Sequence, residues 1–243
     1  MPCLEIITDT VGDAIAAEKG GATQITVLSH FPCTGITPSY GMVTRIREMV
    51  KLPMLVLICP HTRSYIPTLE DMETCLCDIE AFKKLGIYDF LFGFIDQNNN
   101  LNVQVVEKIK TEHSAINLHS RIIWEFTRDI RRTVETTINL GFHSMRTSGN
   151  CLMNAMTNGD PSESVRNISL MKDLAQNKIQ ILLTGGITIA NVENLIKQTD
   201  IYDLQIGRGV RTPNNSYSPV DPVKVAAIRT KQVMLFEEWF LKN

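Results

Sequence analysis

The sequence predicts a single (β/α)8 TIM barrel spanning residues 1–243 as one domain. Short apolar runs alternate with longer amphipathic stretches eight times along the chain, and eight strand-plus-helix units are what such a barrel requires. The length of 243 residues is close to the roughly 250 typical of the fold. A doubly wound sheet, the competing architecture, leads with a G-x-G-x-x-G fingerprint after its first strand. No such fingerprint follows the first run here.

The elements follow in order. Strand one is Leu4–Thr8, bounded by Asp9, and a helix covers Val11–Lys19 before Gly20 and Gly21, since glycine sits well just past a helix end. Strand two is 24–28, and a long loop over 29–39 precedes a helix near 40–50. Pro53 leads into strand three at 54–58, followed by a loop over 59–68. In the third helix Leu69, Met72, Leu76, Ile79, Phe82 and Leu85 recur at helical spacing, and Gly86 closes it. Strand four is Asp89–Phe92, with a turn at 97–100 and a helix to about Thr111. Strand five falls near 116–123, and its helix runs to Leu140 and stops at Gly141. Strand six is Ser144–Thr147, followed by a long polar loop over 148–162 and a helix ending near Asn177. Strand seven is 180–184, its helix 189–198, strand eight 203–206 and the last helix about 223–240, ending on Trp239 and Phe240.

Composition narrows the partners. Hydrophobic residues make up 44% of the chain and the formal net charge is −2, with no long run of either sign. A packed core is therefore expected, and neither nucleic acid nor an anionic membrane is an expected partner. Arg128, Arg131 and Arg132 read as a solvated helix start. No apolar stretch approaches the roughly 20 residues of a membrane span, and the first residues lead straight into a strand without a secretory pattern. The six cysteines are scattered and suggest no disulfide framework. These features predict a cytoplasmic protein with reduced thiols.

Three constellations are candidates for chemistry. Gly185 and Gly186 end strand seven, and Gly207, Arg208 and Gly209 end strand eight. In barrels these two loops often bind phosphate, because glycine lets backbone N–H groups approach an anion and an arginine adds charge. The alternative is that these glycines only make tight turns. A second set pairs His30 and Cys33 after strand two with Cys59 and His61 after strand three. Thiolate and imidazole suit Cu(I) or Zn(II), though neither spacing is an established metal signature. Third, alternation turns Glu5, Ile7, Thr26, Leu28, His119 and Arg121 into the barrel. A pore Glu5 needs a partner, for which Arg121 or His119 is expected, either as a structural network or as catalytic groups. Cys75 and Cys77, two apart on helix three, face different ways. No nucleophile elbow, H-E-x-x-H or P-loop is present, so nothing marks a known enzyme class.

Several segments carry a resemblance. They are Leu4-Glu5-Ile6, the loop from Gly35 through Thr37-Pro38-Ser39 to Gly41, and Phe92-Gly93-Phe94-Ile95-Asp96. Gly141-Phe142, Thr147-Ser148-Gly149 and Gly185-Gly186-Ile187 followed by Asn191 and Leu195 complete the set. In this order and spacing the chain resembles the CutC copper-homeostasis family over nearly its whole length. The resemblance implies a barrel, a cytosolic protein and a role in copper handling. Departures are equally specific. Where the family reads Leu-Glu-Ile-Cys on strand one this chain has Ile7, and where it reads Glu-Leu-Cys on strand two it has Thr26, Val27 and Leu28. Its Arg-Pro-Arg-Gly-Gly after strand three becomes Cys59 to Arg63, its His-Arg-Ala-Phe-Asp on strand five becomes Arg121 to Glu125, and its strand-eight histidine becomes Gln205.

An aliphatic side chain cannot bind metal, and replacing histidine by arginine installs a permanent cation. The expectation is a CutC-like copper-homeostasis protein whose metal site is lost or displaced, with copper as cofactor only by resemblance. The alternatives are an anion-binding barrel enzyme acting on a small phosphorylated metabolite, and a non-catalytic scaffold or binding protein. Its partners are expected to be a small anion or a metal ion, with self-association through exposed helix faces.

Overall fold

The computed structural model describes residues 1–149 and 161–242. Eight strands pair in chain order into a closed barrel, each parallel to its neighbours, and β8 returns to β1. The strands are β1 (Leu4–Thr8), β2 (Gln24–Val27), β3 (Met54–Leu57), β4 (Asp89–Phe92), β5 (Asn117–Ser120), β6 (Ser144–Thr147), β7 (Gln180–Leu183) and β8 (Leu204–Ile206). The helices that follow them are α1 (Val11–Lys19), α2 (Tyr40–Met49), α3 (Leu69–Lys84), α4 (Val103–Glu112), α5 (Ile130–Asn139), α6 (Pro161–Ala175), α7 (Val192–Thr199) and α8 (Pro222–Phe240). Most of the polar loop expected after β6 lies outside the described residues.

The period of two along each strand sorts side chains into two layers. Outward residues such as Ile6, Ile25, Val27, Val56, Phe90, Phe92, Met145 and Leu204 pack under the helices in the main core. A smaller apolar cluster, Leu28, Leu57, Cys59 and Leu91 with Ile7 and Phe31 against it, fills the upper barrel interior. Burying a Leu- or Ile-sized side chain stabilises by roughly 1.5–3 kcal/mol, so this double layer is the main driving force for the fold. Helix starts are fixed locally. Thr10, Ser39, Asn102 and Asp129 each accept a hydrogen bond from the first turn of their helix, and Thr68 and Asp71 form a reciprocal capping box on α3.

Two expected elements are shorter than the apolar pattern suggests. β5 stops at Ser120, and Ile122–Phe126 forms a 3₁₀ turn instead. The turn carries the Glu125 carboxylate inward to accept from the backbone and hydroxyl of Ser148, beyond β6. α7 begins at Val192 rather than at 189. Asn191 accepts from the Thr188 N–H and donates to the Gly186 carbonyl, so the preceding residues form a separate turn. No helix among the described residues is long and apolar enough to cross a membrane.

Candidate functional site at the barrel mouth

The C-terminal ends of the strands surround a cavity of about 240 Å³. Its floor is aliphatic, from Ile7, Leu28, Leu57 and Leu91, the top layer of the barrel interior. Its rim includes the whole late glycine set, Gly185, Gly186, Gly207, Arg208 and Gly209. The glycines do different jobs. Gly185 and Gly186 have φ of +76° and +71°, a left-handed turn that L side chains resist. Gly209 is needed for space, because a Cβ there would lie 1.8 Å from the Ile187 carbonyl oxygen. Gly207 likewise makes room for the Phe31 ring. Arg208 is exposed on the rim and forms no ion pair among the described residues.

Below the floor lies a polar girdle. Glu5 is fully buried, and its partner is Arg146 of β6 rather than Arg121 or His119. Arg146 Nε reaches Glu5 Oε1 at 3.1 Å and Nη2 reaches Oε2 at 2.5 Å. Thr26 Oγ1 at 2.6 Å and Gln205 Nε2 at 2.5 Å also donate to Oε1, and Gln24 donates to Oε2. Burial pushes the Glu5 carboxyl up, but the Arg146 charge and these hydrogen bonds outweigh it and hold the group below the ordinary carboxylate range. Arg146 also lies on the inward parity of β6, which is why it reaches Glu5 across the pore. With every acceptor site engaged, Glu5 is built as a structural anion rather than a base open to a ligand.

His119 sits lower, with Nδ1 at 2.7 Å from Ser144 Oγ and Nε2 at 3.1 Å from Asp89 Oδ1. Burial lowers its pKa more than the Asp89 hydrogen bond raises it. The hydrogen bond from His119 in turn holds the Asp89 carboxyl below its usual range. Arg121, one inward position further along, rises into the mouth cavity. Its Nη2 donates to the Thr34 carbonyl at 3.1 Å and its guanidinium lies 5.2 Å from the centre of the Tyr65 ring. Its Nη1 is buried without a hydrogen-bond partner among the described residues.

The soft-ligand candidates do not converge. His30 and Cys33 are exposed on the β2–α2 loop, at either end of the 3₁₀ turn Phe31–Cys33. Cys59 is fully buried and its thiol donates to the His61 carbonyl at 3.2 Å. His61 turns away toward α3, with Nε2 3.0 Å from Asp71 Oδ1 and Nδ1 buried without a partner among the described residues. Among the described residues no group of three or more His, Cys, Asp or Glu is placed to hold a metal ion. The four expected donors therefore do not fit a shared copper site. Five described cysteines are free, Cys75 buried and Cys77 exposed as their spacing implies.

Three site residues escape a reading of the sequence alone. Arg146 lies on the inward parity of β6, by the same alternation that turns His119 inward on β5. Arg211 is buried beyond β8, 3.2 Å from Asp13 and 3.1 Å from Asp9, with its guanidinium over the Phe31 ring. Glu125 stands where the CutC pattern has an aspartate, but periodicity gives no sign of its contact with Ser148, which arises from a 3₁₀ turn inside an apolar run.

Fold and cavity together define a (β/α)8 barrel with a ligand-sized pocket at its C-terminal face, where barrels of this kind carry their sites. The CutC family model matches residues 3–209, and the chain belongs to the CutC family. A CutC family protein of Bacteroides fragilis is 27% identical over 203 residues, 82% of this chain and 77% of that protein. One from Xylella fastidiosa is 26% identical over 200 residues, covering 82% and 72%. Among solved structures, CutC of Streptococcus agalactiae, named for copper homeostasis, superposes with a TM-score of 0.76 at 18% identity, over 85% of this chain and 98% of that one. Phosphoribosyl anthranilate isomerase of Thermotoga maritima gives 0.61 at 13% identity, over 96% and 100%. At these identities the structural likenesses show the shared fold.

Proposed function

We propose that this protein binds a small organic molecule at its barrel mouth, and that it serves copper homeostasis, the role its S. agalactiae relative is named for, through that molecule. The observation that carries this reading is the cavity itself. At about 240 Å³ it exceeds the roughly 150 Å³ that suffices for benzene in an apolar cavity. Its aliphatic floor includes Ile7 and Leu28, and neither can ligate a metal. Glu5 is fully paired, so the reading is binding and not turnover. The scattered cysteines support a cytoplasmic setting.

A crystallographic fragment soak tests the reading. Fragments are expected in the mouth cavity, on Leu28, Leu57 and Leu91; an empty mouth with fragments elsewhere would reject it. A second reading, copper bound directly, draws support from the unpartnered Nδ1 of His61 beside Cys59. Anaerobic Cu(I) titration against a competing chelator separates the two. The expected result is no stoichiometric site that depends on Cys33 or Cys59. A site present in the wild type and lost in Cys33→Ala/Cys59→Ala would establish direct copper binding.

A further inference from the structure

We propose that the mouth cavity is a site for an organic anion, whose carboxylate or phosphate-ester oxygens pair with Arg121 while a ring-sized apolar body rests on the aliphatic floor. The proposal rests on the ligand-binding reading above and specifies what the ligand carries.

The buried guanidinium groups of this chain are not all treated alike. Arg146 and Arg211 are essentially inaccessible, and each meets carboxylates: Glu5 for the first, Asp9 and Asp13 for the second. Arg121 is 4% exposed and pairs with no carboxylate among the described residues. It has one carbonyl, from Thr34, and the face of Tyr65. Neither supplies a full negative charge, and Nη1 has no acceptor among the described residues. A buried cation is costly unless it is paired, and a bound anion at Nη1 removes that cost.

The rest of the cavity points the same way. Among the described residues no Asp or Glu lines it, whereas Arg121 and Arg208 do, so its described ionised groups are positive. On another wall the backbone N–H groups of Gly185, Gly186 and Ile187 make no hydrogen bond among the described residues. Nothing lies within 4 Å of where a Gly186 Cβ would be, so that turn is open to an approaching group. Left-handed turns of this kind direct N–H groups at anions. The floor of Ile7, Leu28, Leu57 and Leu91 offers no donor, so a fully hydrated inorganic ion gains nothing there. An apolar body attached to the anionic group fills that space and displaces water.

Isothermal titration of the full chain with four probes tests the proposal: benzoate, phenyl phosphate, benzyl alcohol and inorganic phosphate. Benzoate or phenyl phosphate is expected to bind saturably and at least tenfold more tightly than benzyl alcohol or inorganic phosphate. Arg121→Met should weaken the organic anion by roughly 10- to 100-fold, the loss of a charge-assisted pair, and leave benzyl alcohol unchanged. Arg121→Lys, which keeps the charge, should retain part of the affinity, and circular dichroism checks that both variants fold. Benzyl alcohol binding as tightly as benzoate, with no effect of Arg121→Met, would discard the anion and leave the ligand pocket standing. Inorganic phosphate binding as tightly as phenyl phosphate would discard the apolar body. Binding of no probe, together with an empty mouth in the fragment soak, would overturn both readings.

Discussion

Glu5 and Arg146 illustrate how little freedom a pore charge has. Removing one partner of such a buried pair costs about 3–5 kcal/mol, because the other charge is left uncompensated. Glu5→Gln should therefore lower stability at pH 7 by that amount in chemical denaturation, and Glu5→Leu/Arg146→Met should recover most of it. The pH dependence has a definite sign. The folded-state pKa of Glu5 is depressed, so its contribution is fully present above the unfolded value of about 4.3 and is lost as pH falls through the lower folded value. Wild type should lose stability below about pH 4 more steeply than Glu5→Gln. The glycines of the mouth separate in the same way. Gly209→Ala drives a Cβ into the Ile187 carbonyl and should cost about 3 kcal/mol or more. Gly186→Ala meets open space and pays only the left-handed backbone, about 1–2 kcal/mol. At this scale the sequence shows which residues face inward but not which of them meet. Glu5 and Arg146 are 141 positions apart, and only barrel closure decides that Arg146 lies nearer than Arg121.

Elements were legible wherever local chemistry alone sets them. α3 begins where Thr68 and Asp71 make a capping box and ends at Gly86, whose φ is +72°. Thr68→Ala should remove about 1 kcal/mol, read as a Tm about 2–4 °C lower for a chain of this size. The misread elements are those governed from a distance. Ile122 extends an apolar run and reads as strand, yet the chain turns there, and Glu125 is held by Ser148 just past the next strand. Helical spacing continues back to Ile189, yet Asn191 diverts the turn toward Gly186. The metal candidates failed to assemble for a similar reason: adjacent loops need not present their side chains to one another. His61 lies beside α3, whereas Cys33 lies at the surface.

For the whole molecule, the eightfold alternation was enough to give a closed barrel, because parallel strands with covering helices have few other solutions. The family also followed from short motifs spread along the chain. What holds the first unit to the last was not legible. Arg211 joins Asp9 and Asp13, and Asp13 also accepts from the backbone of Val220, 207 residues away. Arg211→Met should cost about 3–5 kcal/mol, since Asp13 is buried with it. That clasp has a consequence for how the chain is made. A ribosome adding roughly 5–20 residues per second delivers Arg211 roughly 10–40 s after Asp13, and until then two acidic groups at the start of α1 have no counter-charge. The nascent amino-terminal units should remain loose and open to proteolysis in arrested chains that end before residue 211, and tighten in chains extended past Val220 beyond the exit tunnel. Equal protease resistance in the two would show that vectorial synthesis does not wait for the clasp.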